Sequence, residues 1–332
     1  MLKKIARNKV LILDGAMGTM IQRHNLQESD FRNEALAHHP HDLKGNNDLL
    51  SITRPDVITD IHLEYLNAGA DIIETNTFSG TTIAQADYGL EEWVYEINYA
   101  GAQCAKRAIQ KYQKDNPGEY KFIAGAIGPT NKTASMSPDV NDPGFRAITF
   151  DQLKDAYSLQ VKGLIEGGAD ILLVETIFDT LNAKAALIAI NDYCEANKVE
   201  VPVMISGTIT DASGRTLSGQ TPLAFLTSLK HFKPFTIGFN CALGASQLTP
   251  YLKVLAQNAN CGISAYPNAG LPNEMGAYDE SPSEMAAQIE NYLKDGLVNV
   301  LGGCCGTTPE HITAISEISK KYSPRKLELS HD

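Results

Sequence analysis

The chain has 332 residues, of which 43% are hydrophobic and 20% charged, as expected of a globular protein with a sizeable core. A formal net charge of -11, with no basic stripe, argues against a nucleic-acid-binding surface. Neither a signal peptide nor an apolar run of about 18 residues is visible, and six cysteines are too few for a disulfide framework. We therefore expect a cytoplasmic protein with reduced thiols and no membrane span.

Eight short apolar runs follow one another along the chain, and each ends in glycine or polar residues. These predicted strands are residues 10–13, 71–74, 122–125, 171–174, 201–205, 236–239, 262–265 and 298–301. Predicted helices cover residues 55–68, 91–112, 181–197, 222–231, 246–257 and 281–294, with two more beginning at Thr149 and Pro309. Two of these helices open on capping boxes, formed by Thr149 with Gln152 and by Ser281 with Glu284.

Strand and helix alternating eight times predicts a closed parallel (β/α)8 TIM barrel. We expect one domain over residues 1–322 and a flexible tail, or the start of a linker, over residues 323–332. An open doubly wound sheet is the alternative. The barrel is favoured because there are eight strands and because the cysteine-bearing strands then face one mouth. Residues 22–47 and 129–143 are interpreted as excursions around that mouth.

Three cysteines stand at the ends of two predicted strands. Cys241 follows the sixth strand, and Cys304 and Cys305 follow the eighth between flanking glycines. Three thiols are the minimum set for a zinc site with one open position, although buried inert thiols are the alternative reading. The other cysteines are interpreted as structural, and the first long excursion carries histidines interpreted as a solvated loop: Cys104, Cys194, Cys261; His38, His39, His41.

Carboxylates and glycines complete the strand ends. Asp14 and Glu175 could cap neighbouring backbone, but strand-end carboxylates at a barrel mouth favour a functional role. The backbone N–H groups of residues 15–18 suit a carboxylate or a phosphate. No strand end carries a histidine, which argues against a nucleophilic triad and a two-histidine zinc hydrolase. Residues 302–303 could cradle a phosphate, as in sugar-phosphate barrels, but the cysteines beside them argue against it.

Six motifs spread over nearly the whole chain carry a family resemblance: residues 14–19, 74–78, 174–176, 238–241, 266–272 and 302–307. They resemble the homocysteine-binding, zinc-dependent S-methyltransferase domain, and most closely the amino-terminal module of cobalamin-dependent methionine synthases. The asparagine–cysteine and glycine–cysteine–cysteine elements are the most specific. Betaine-dependent members share the zinc motif but differ in the opening and second-strand motifs.

The resemblance implies a site as well as a family. Zinc ligands would be Cys241, Cys304 and Cys305, and no catalytic residue is expected beyond the zinc site. The amino-acid-binding carboxylates would be Asp14 and Glu175. The full set expected to bind substrate is Asp14, Gly15, Ala16, Met17, Gly18, Glu175 and Asn268.

The implied reaction is methyl transfer to the thiol of L-homocysteine, which forms L-methionine. The implied donor is methylcobalamin on a separate module, with S-methylmethionine, betaine, or a module inactive on its own as alternatives. The cobalamin motif Asp-x-His-x-x-Gly is incomplete, since Asp60 and His62 are present but Tyr65 stands at the glycine position. The chain stops where a folate module would begin. Expected partners are therefore cobalamin- and folate-binding modules in the same or another chain.

Overall fold

Eight parallel strands form a ring at the centre of the computed structural model, which describes residues 1–211 and 213–327. They are β1 (Leu11–Ile12), β2 (Ile72–Glu74), β3 (Phe122–Ile127), β4 (Ile171–Ile177), β5 (Val203–Gly207), β6 (Thr236–Gly244), β7 (Gly262–Asn268) and β8 (Val300–Leu301). From β2 to β8 each strand pairs with the next one in the chain, and β1 pairs with β8. A parallel bridge between Leu13 and Ile72 closes the ring. The predicted barrel is confirmed, and the open sheet is excluded.

Twelve α-helices surround the ring within the described residues. They are α1 (Leu2–Ala6), α2 (Met17–Arg23), α3 (Leu50–Thr53), α4 (Pro55–Asn67), α5 (Thr82–Gln85), α6 (Val94–Asp115), α7 (Phe150–Gly167), α8 (Thr180–Asn197), α9 (Pro222–Leu229), α10 (Ala245–Asn258), α11 (Pro282–Lys294) and α12 (Pro309–Ser319). Short 3-10 helices cover Glu28–Phe31, Glu34–Leu36, Asn47–Leu49, Ala86–Tyr88, Glu91–Trp93 and Lys230–Phe232. None of the helices just named is long and apolar enough to cross a bilayer.

Both predicted capping boxes are present. The Thr149 hydroxyl accepts from the Gln152 N–H at 3.2 Å, and Gln152 accepts from the Thr149 N–H at 2.9 Å. Ser281 and Glu284 make the same reciprocal pair, at 3.3 and 2.9 Å. Each cap satisfies helix N–H groups that have no partner within the helix, and is worth about 1 kcal/mol.

Four helices lie outside the predicted helical patterns, and α2 is the one that matters for the site. No helix was predicted at residues 15–18, but Met17 and Gly18 form the first turn of α2. Tertiary contacts hold this start in place. The Ala16 N–H donates to Thr307 Oγ1 at 3.1 Å, and the Tyr65 hydroxyl donates to the Ala16 carbonyl at 3.1 Å. Packing therefore overrides the low helix propensity of Gly18.

The strand residues divide the core into two clusters, because successive side chains of a strand point to opposite faces. The inward-pointing side chains fill the barrel. They include Leu11, Leu13 and Ile72, together with residues of β3, β4, β5, β7 and β8. Ile12 and Ile73 point outward and pack in the larger cluster against the helices. At the carboxyl ends of the strands the inward positions become polar. Those positions build the site.

Two predicted segments lie outside the strands of the barrel: the excursion over residues 22–47 and the tail over residues 323–332. Within residues 22–47, His38 and His41 are exposed, and a ring nitrogen of His39 bonds to the Tyr88 carbonyl at 2.8 Å. In the predicted tail, the Arg325 N–H donates to the Val298 carbonyl at 2.9 Å. Residues 328–332 lie outside the described part of the chain. The boundary between residues 322 and 323 stays a prediction.

Candidate active site

An open cavity of about 800 Å³ lies at the carboxyl ends of the strands. This is the end of a (β/α)8 barrel where several strands bring side chains together. Most of the predicted site residues line it: Asp14, Gly15, Ala16, Met17, Gly18, Glu175, Cys241, Cys304 and Cys305. Asn268 lies beside the cavity, 1% exposed, and its Oδ1 accepts from the Cys305 N–H at 3.1 Å. It supports the cysteine loop, and its predicted contact with substrate stays a prediction.

The three strand-end thiols converge. The sulfur atoms of Cys241, Cys304 and Cys305 all lie within 4.8 Å of one another, and those of Cys241 and Cys305 are 3.7 Å apart. Among the residues the structure describes, this is the cluster whose ligand atoms are close enough to hold one metal ion. The prediction that three cysteines meet at one mouth is confirmed.

Two strand irregularities aim side chains into the cavity. The register of β6 against β7 shifts between Asn240 and Gly244, and Cys241 and Ala242 take left-handed φ values of 59° and 56°. The register of β4 against β5 shifts around Thr176, whose φ is 53°. Bulges of this kind redirect side chains, and non-glycine residues at such angles cost about 1–3 kcal/mol each. Three of the six described non-glycine residues with left-handed φ therefore lie at or next to the thiol and carboxylate positions.

The loop after β8 has its backbone groups committed elsewhere. The N–H groups of Gly302, Gly303 and Cys304 donate to the carbonyls of Ala265, Asp14 and Pro267, at 3.1, 3.1 and 2.8 Å respectively. Thr307 Oγ1 donates to the Cys304 carbonyl at 2.6 Å. These N–H groups cannot also cradle a phosphate, so the sugar-phosphate alternative loses its binding site.

The cysteine thiols of the cluster differ in how readily they ionise. Hydrogen bonds from Cys241 and Cys304, and a further one from Tyr278, hold the pKa of Cys305 well below its ordinary value. Hydrogen bonds with the other two sulfurs, together with burial, raise the pKa of Cys304 well above its ordinary value. The cluster thus accommodates one thiolate easily. Further ionisation needs a cation to offset the added charge.

Three of the carboxyl groups that line the same cavity influence one another: Asp14, Glu74 and Glu175. Asp14 Oδ2 accepts from the Glu74 N–H at 3.0 Å, while Asp14 Oδ1 is buried without a partner among the described residues. Burial, reinforced by the nearby Glu175 charge, raises the pKa of Asp14 well above its ordinary value. Burial raises the pKa of Glu175 to about 8. Burial, together with the charges of Glu175 and Asp14, raises the pKa of Glu74 well above its ordinary value. Bringing a cation here would restore the ionised forms.

Several cavity residues were not singled out from the sequence. Glu74 was noted at a strand end but not assigned to the site. Asp48 accepts from the Ser79 N–H at 2.8 Å, and burial raises its pKa to about 7. Tyr278 lies against Gly306, so that a side chain at that glycine would overlap it. Asp48 sits in the three-residue 3-10 helix Asn47–Leu49 and Tyr278 in an irregular segment, and neither shows a periodic sequence pattern that would reveal a role.

One histidine reaches the cavity from a helix rather than from a strand end. His311 lies in the first turn of α12 and lines the cavity wall. Its Nε2 bonds to the Glu280 carbonyl at 2.9 Å, and its Nδ1 bonds to Thr308 Oγ1 at 3.0 Å. Both ring nitrogens are therefore engaged by partners within the protein.

Comparison with known proteins agrees with this geometry. A family model described as homocysteine S-methyltransferase matches residues 11–319. The fold is similar to that of the homocysteine methyltransferase MmuM from Escherichia coli, whose metallated form aligns with a TM-score of 0.73 at 21% identity, covering 95% of this chain and 98% of that one. The oxidized form aligns with a TM-score of 0.72 at 22% identity, covering 96% and 97%. Since the family model spans nearly the whole barrel, the chain belongs to the homocysteine S-methyltransferase family.

Proposed function

We propose that the chain transfers a methyl group to the thiol of L-homocysteine, forming L-methionine, at a zinc ion held by Cys241, Cys304 and Cys305. The observation that carries this proposal is the convergence of the three sulfur atoms within 4.8 Å. Membership of the homocysteine S-methyltransferase family supports the reaction class. The free thiols also favour a reducing compartment, for which we propose the cytoplasm.

The thiol geometry fits zinc. With Zn–S bonds of about 2.3 Å, two sulfur atoms of a tetrahedral site lie about 3.8 Å apart. The 3.7 Å between the Cys241 and Cys305 sulfurs matches that separation. Three protein ligands leave a fourth position for a substrate sulfur. When bound, zinc supplies Lewis acidity that lowers the pKa of a thiol joining it.

The carboxyl cluster fits the ammonium of an amino acid. Asp14 and Glu175 are 2% and 5% exposed, and Asp14 Oδ1 has no partner among the described residues. An ammonium ion would pair with these groups and favour their charged forms, which burial alone disfavours. The α-carboxylate is assigned to residues 15–18 by prediction. This agrees with the position of Met17 and Gly18 in the first turn of α2, where N–H groups lack helical acceptors.

No general base is required by this arrangement. Cys241, Cys304 and Cys305 would hold a zinc ion whose charge would lower the pKa of a substrate thiol, so that the thiol would ionise without a protein base. Both ring nitrogens of His311 already have partners within the protein. Asp14 and Glu175 orient the substrate through its ammonium, while the three cysteines place its sulfur. Methionine is a neutral thioether and a weaker metal ligand than a thiolate, so the product can leave.

The methyl donor is proposed to be methylcobalamin carried by another module, recharged by a folate-binding module. The support is the resemblance of the motifs to the amino-terminal module of methionine synthases. The cavity is open to solvent at the barrel mouth, which leaves room for a donor above the thiol cluster. S-methylmethionine and betaine are the alternative donors.

The test is turnover by zinc-loaded protein with L-homocysteine and each donor in turn, measuring methionine and, for the corrinoid, cob(I)alamin. We expect methionine from methylcobalamin, and none from the Cys304→Ala variant. Turnover with S-methylmethionine or betaine alone would replace the donor and leave the thiol chemistry standing. Zinc-loaded protein that binds homocysteine but turns over no donor would identify a module that acts only within a larger assembly. Zinc-loaded protein that fails to bind homocysteine would contradict the proposal.

A further inference from the structure

Asn240 lies directly before Cys241 in β6, and its side chain is completely buried. Its Oδ1 accepts from Ser206 Oγ at 2.7 Å and from the Thr176 N–H at 3.1 Å. Its Nδ2 donates to Thr176 Oγ1 at 2.8 Å and to the Cys304 sulfur at 3.9 Å. One amide group therefore joins the ends of β4, β5 and β6 to the cysteine loop after β8.

The contact with Thr176 also stabilises an unfavourable backbone conformation. Thr176 is β-branched, and its left-handed φ of 53° is costly for such a residue. Asn240 bonds both its N–H and its hydroxyl, which fixes this conformation at two points. Thr176 directly follows Glu175, the carboxylate proposed to receive the ammonium of the substrate. The amide thereby holds the turn that presents Glu175 to the cavity.

The contact with Cys304 acts on the metal site. A divalent ion bound by three thiolates carries net negative charge, and a fourth sulfur increases it. An N–H donor to a thiolate offsets part of that charge, and donors of this kind tune both affinity and electronic properties of metal sites. The Nδ2 group of Asn240 has this position on the Cys304 sulfur.

We propose that Asn240 is a positioning residue that couples the Cys304 sulfur to the turn carrying Glu175, so that metal binding and amino-acid binding depend on one amide. The inference rests on the proposed function, because it takes the three thiols as a metal site. Asn240 reaches neither ligand itself. Its loss is therefore expected to weaken both ligands together, without removing a group that contacts either one.

A purely structural role for Asn240 predicts a different experimental result. If Asn240 only supports the strained turn, relieving that strain with Thr176→Gly removes the need for it. The donor is removed in Asn240→Asp, which keeps an oxygen to accept from Ser206 and from the Thr176 N–H. Asn240→Ala removes the donor without adding charge. Ser206→Ala is the matched control, because it deletes a bond to the same amide but leaves its N–H groups in place.

The experiment loads each protein with Co²⁺ and follows the thiolate-to-cobalt absorption in the near ultraviolet, with affinity measured by chelator competition. We expect both Asn240 variants to bind Co²⁺ about 10-fold or more weakly, since partners of metal ligands have effects of this size. Their absorption moves to longer wavelength, because a thiolate without its donor gives up charge more easily. Calorimetry shows weaker homocysteine binding to the same variants. Ser206→Ala keeps the wild-type spectrum and affinity.

The outcomes separate the inference from the proposed function. No thiolate–cobalt band in the wild-type protein overturns both. A wild-type band that is unchanged in the Asn240 variants, or a defect that disappears in the Thr176→Gly background, overturns the inference alone. Where a variant does not fold, an NMR measurement on the wild-type protein tests the inference instead. Loaded with the NMR-active isotope of cadmium, the wild-type protein should show coupling between the metal and an Asn240 side-chain amide proton, and absence of that coupling contradicts the N–H to sulfur bond.

Discussion

The sulfur atoms of Cys241 and Cys305 lie 3.7 Å apart, although the two residues are 64 positions apart in the chain. Neither strand end alone could hold a metal ion. The bulge at the end of β6 and the glycine-flanked turn after β8 are both needed to bring the sulfurs together. Predictions about this protein therefore concern the geometry that joins strand ends as much as the side chains themselves.

Removal of one thiol should abolish stable metal binding. Wild-type protein purified with zinc is expected to hold about one ion per chain, and Cys304→Ala should lose most of it, because two thiols are too few for a protein zinc site. Elemental analysis gives the metal content. Cys194→Ala, a half-buried cysteine on α8, is the control and should keep its zinc. Equal zinc in Cys304→Ala and wild type would contradict the assignment.

Removal of one carboxylate charge should weaken homocysteine binding. Glu175→Gln keeps the shape of the side chain but not its charge, and a hydrogen bond to a charged group is worth about 1.5–3 kcal/mol. Calorimetry is expected to show affinity lowered about 10- to 100-fold, with zinc content unchanged. The matched control is Asp170→Asn at the opposite end of β4, where Asp170 accepts from the Ile123 N–H at 2.9 Å. Wild-type affinity in Glu175→Gln would remove this residue from the site.

A methyl group at Gly306 should disturb the thiol loop. Gly306 has a φ of 78°, and an added Cβ would overlap the Tyr278 side chain. Gly118 has a φ of 89° but nothing within 4 Å of an added Cβ, so Gly118→Ala reports the backbone strain alone. We expect Gly118→Ala to cost about 1 kcal/mol and Gly306→Ala clearly more, with weaker metal binding only in the latter. Thermal unfolding and chelator competition measure the two effects. Equal losses of stability in both variants would mean that the Tyr278 side chain moves aside without cost, which would contradict this prediction.

Stability of the metal-free protein should fall as pH rises through the acidic range. Burial raises the pKa of Asp48 to about 7, whereas the unfolded chain releases that proton near pH 4. Between these values the folded state binds more protons than the unfolded state, so the free energy of unfolding decreases as pH rises. Asp48→Asn removes this contribution. Urea unfolding at pH 4.5 and 7.5 should show a smaller decrease in the variant, and identical decreases would contradict the assignment.

Sequence patterns anticipated the strands and the thiol cluster for a physical reason. Parallel strands covered by helices are buried on both faces, so residues such as 171–174 read as continuous apolar runs, and functional residues follow where the run ends. The start of α2 was missed because it is short, contains Gly18 and depends on Thr307 from the far end of the chain. Tyr278 and Asp48 were missed because an irregular segment and a single 3-10 turn are set by tertiary contacts and leave no period in the sequence.

The hydrogen bond from the Ala16 N–H to Thr307 Oγ1 spans 291 positions. The first strand end and the last are thus joined directly, and the pocket they share exists only in the finished ring. During synthesis the chain emerges from its amino end, so the ribosome releases Cys241 well before Cys304 and Cys305. Until then Cys241 lacks the two sulfur partners that complete the cluster. Under the proposed function, a metal ion therefore meets the full set of three thiols only late in synthesis, after the eighth strand has entered the ring.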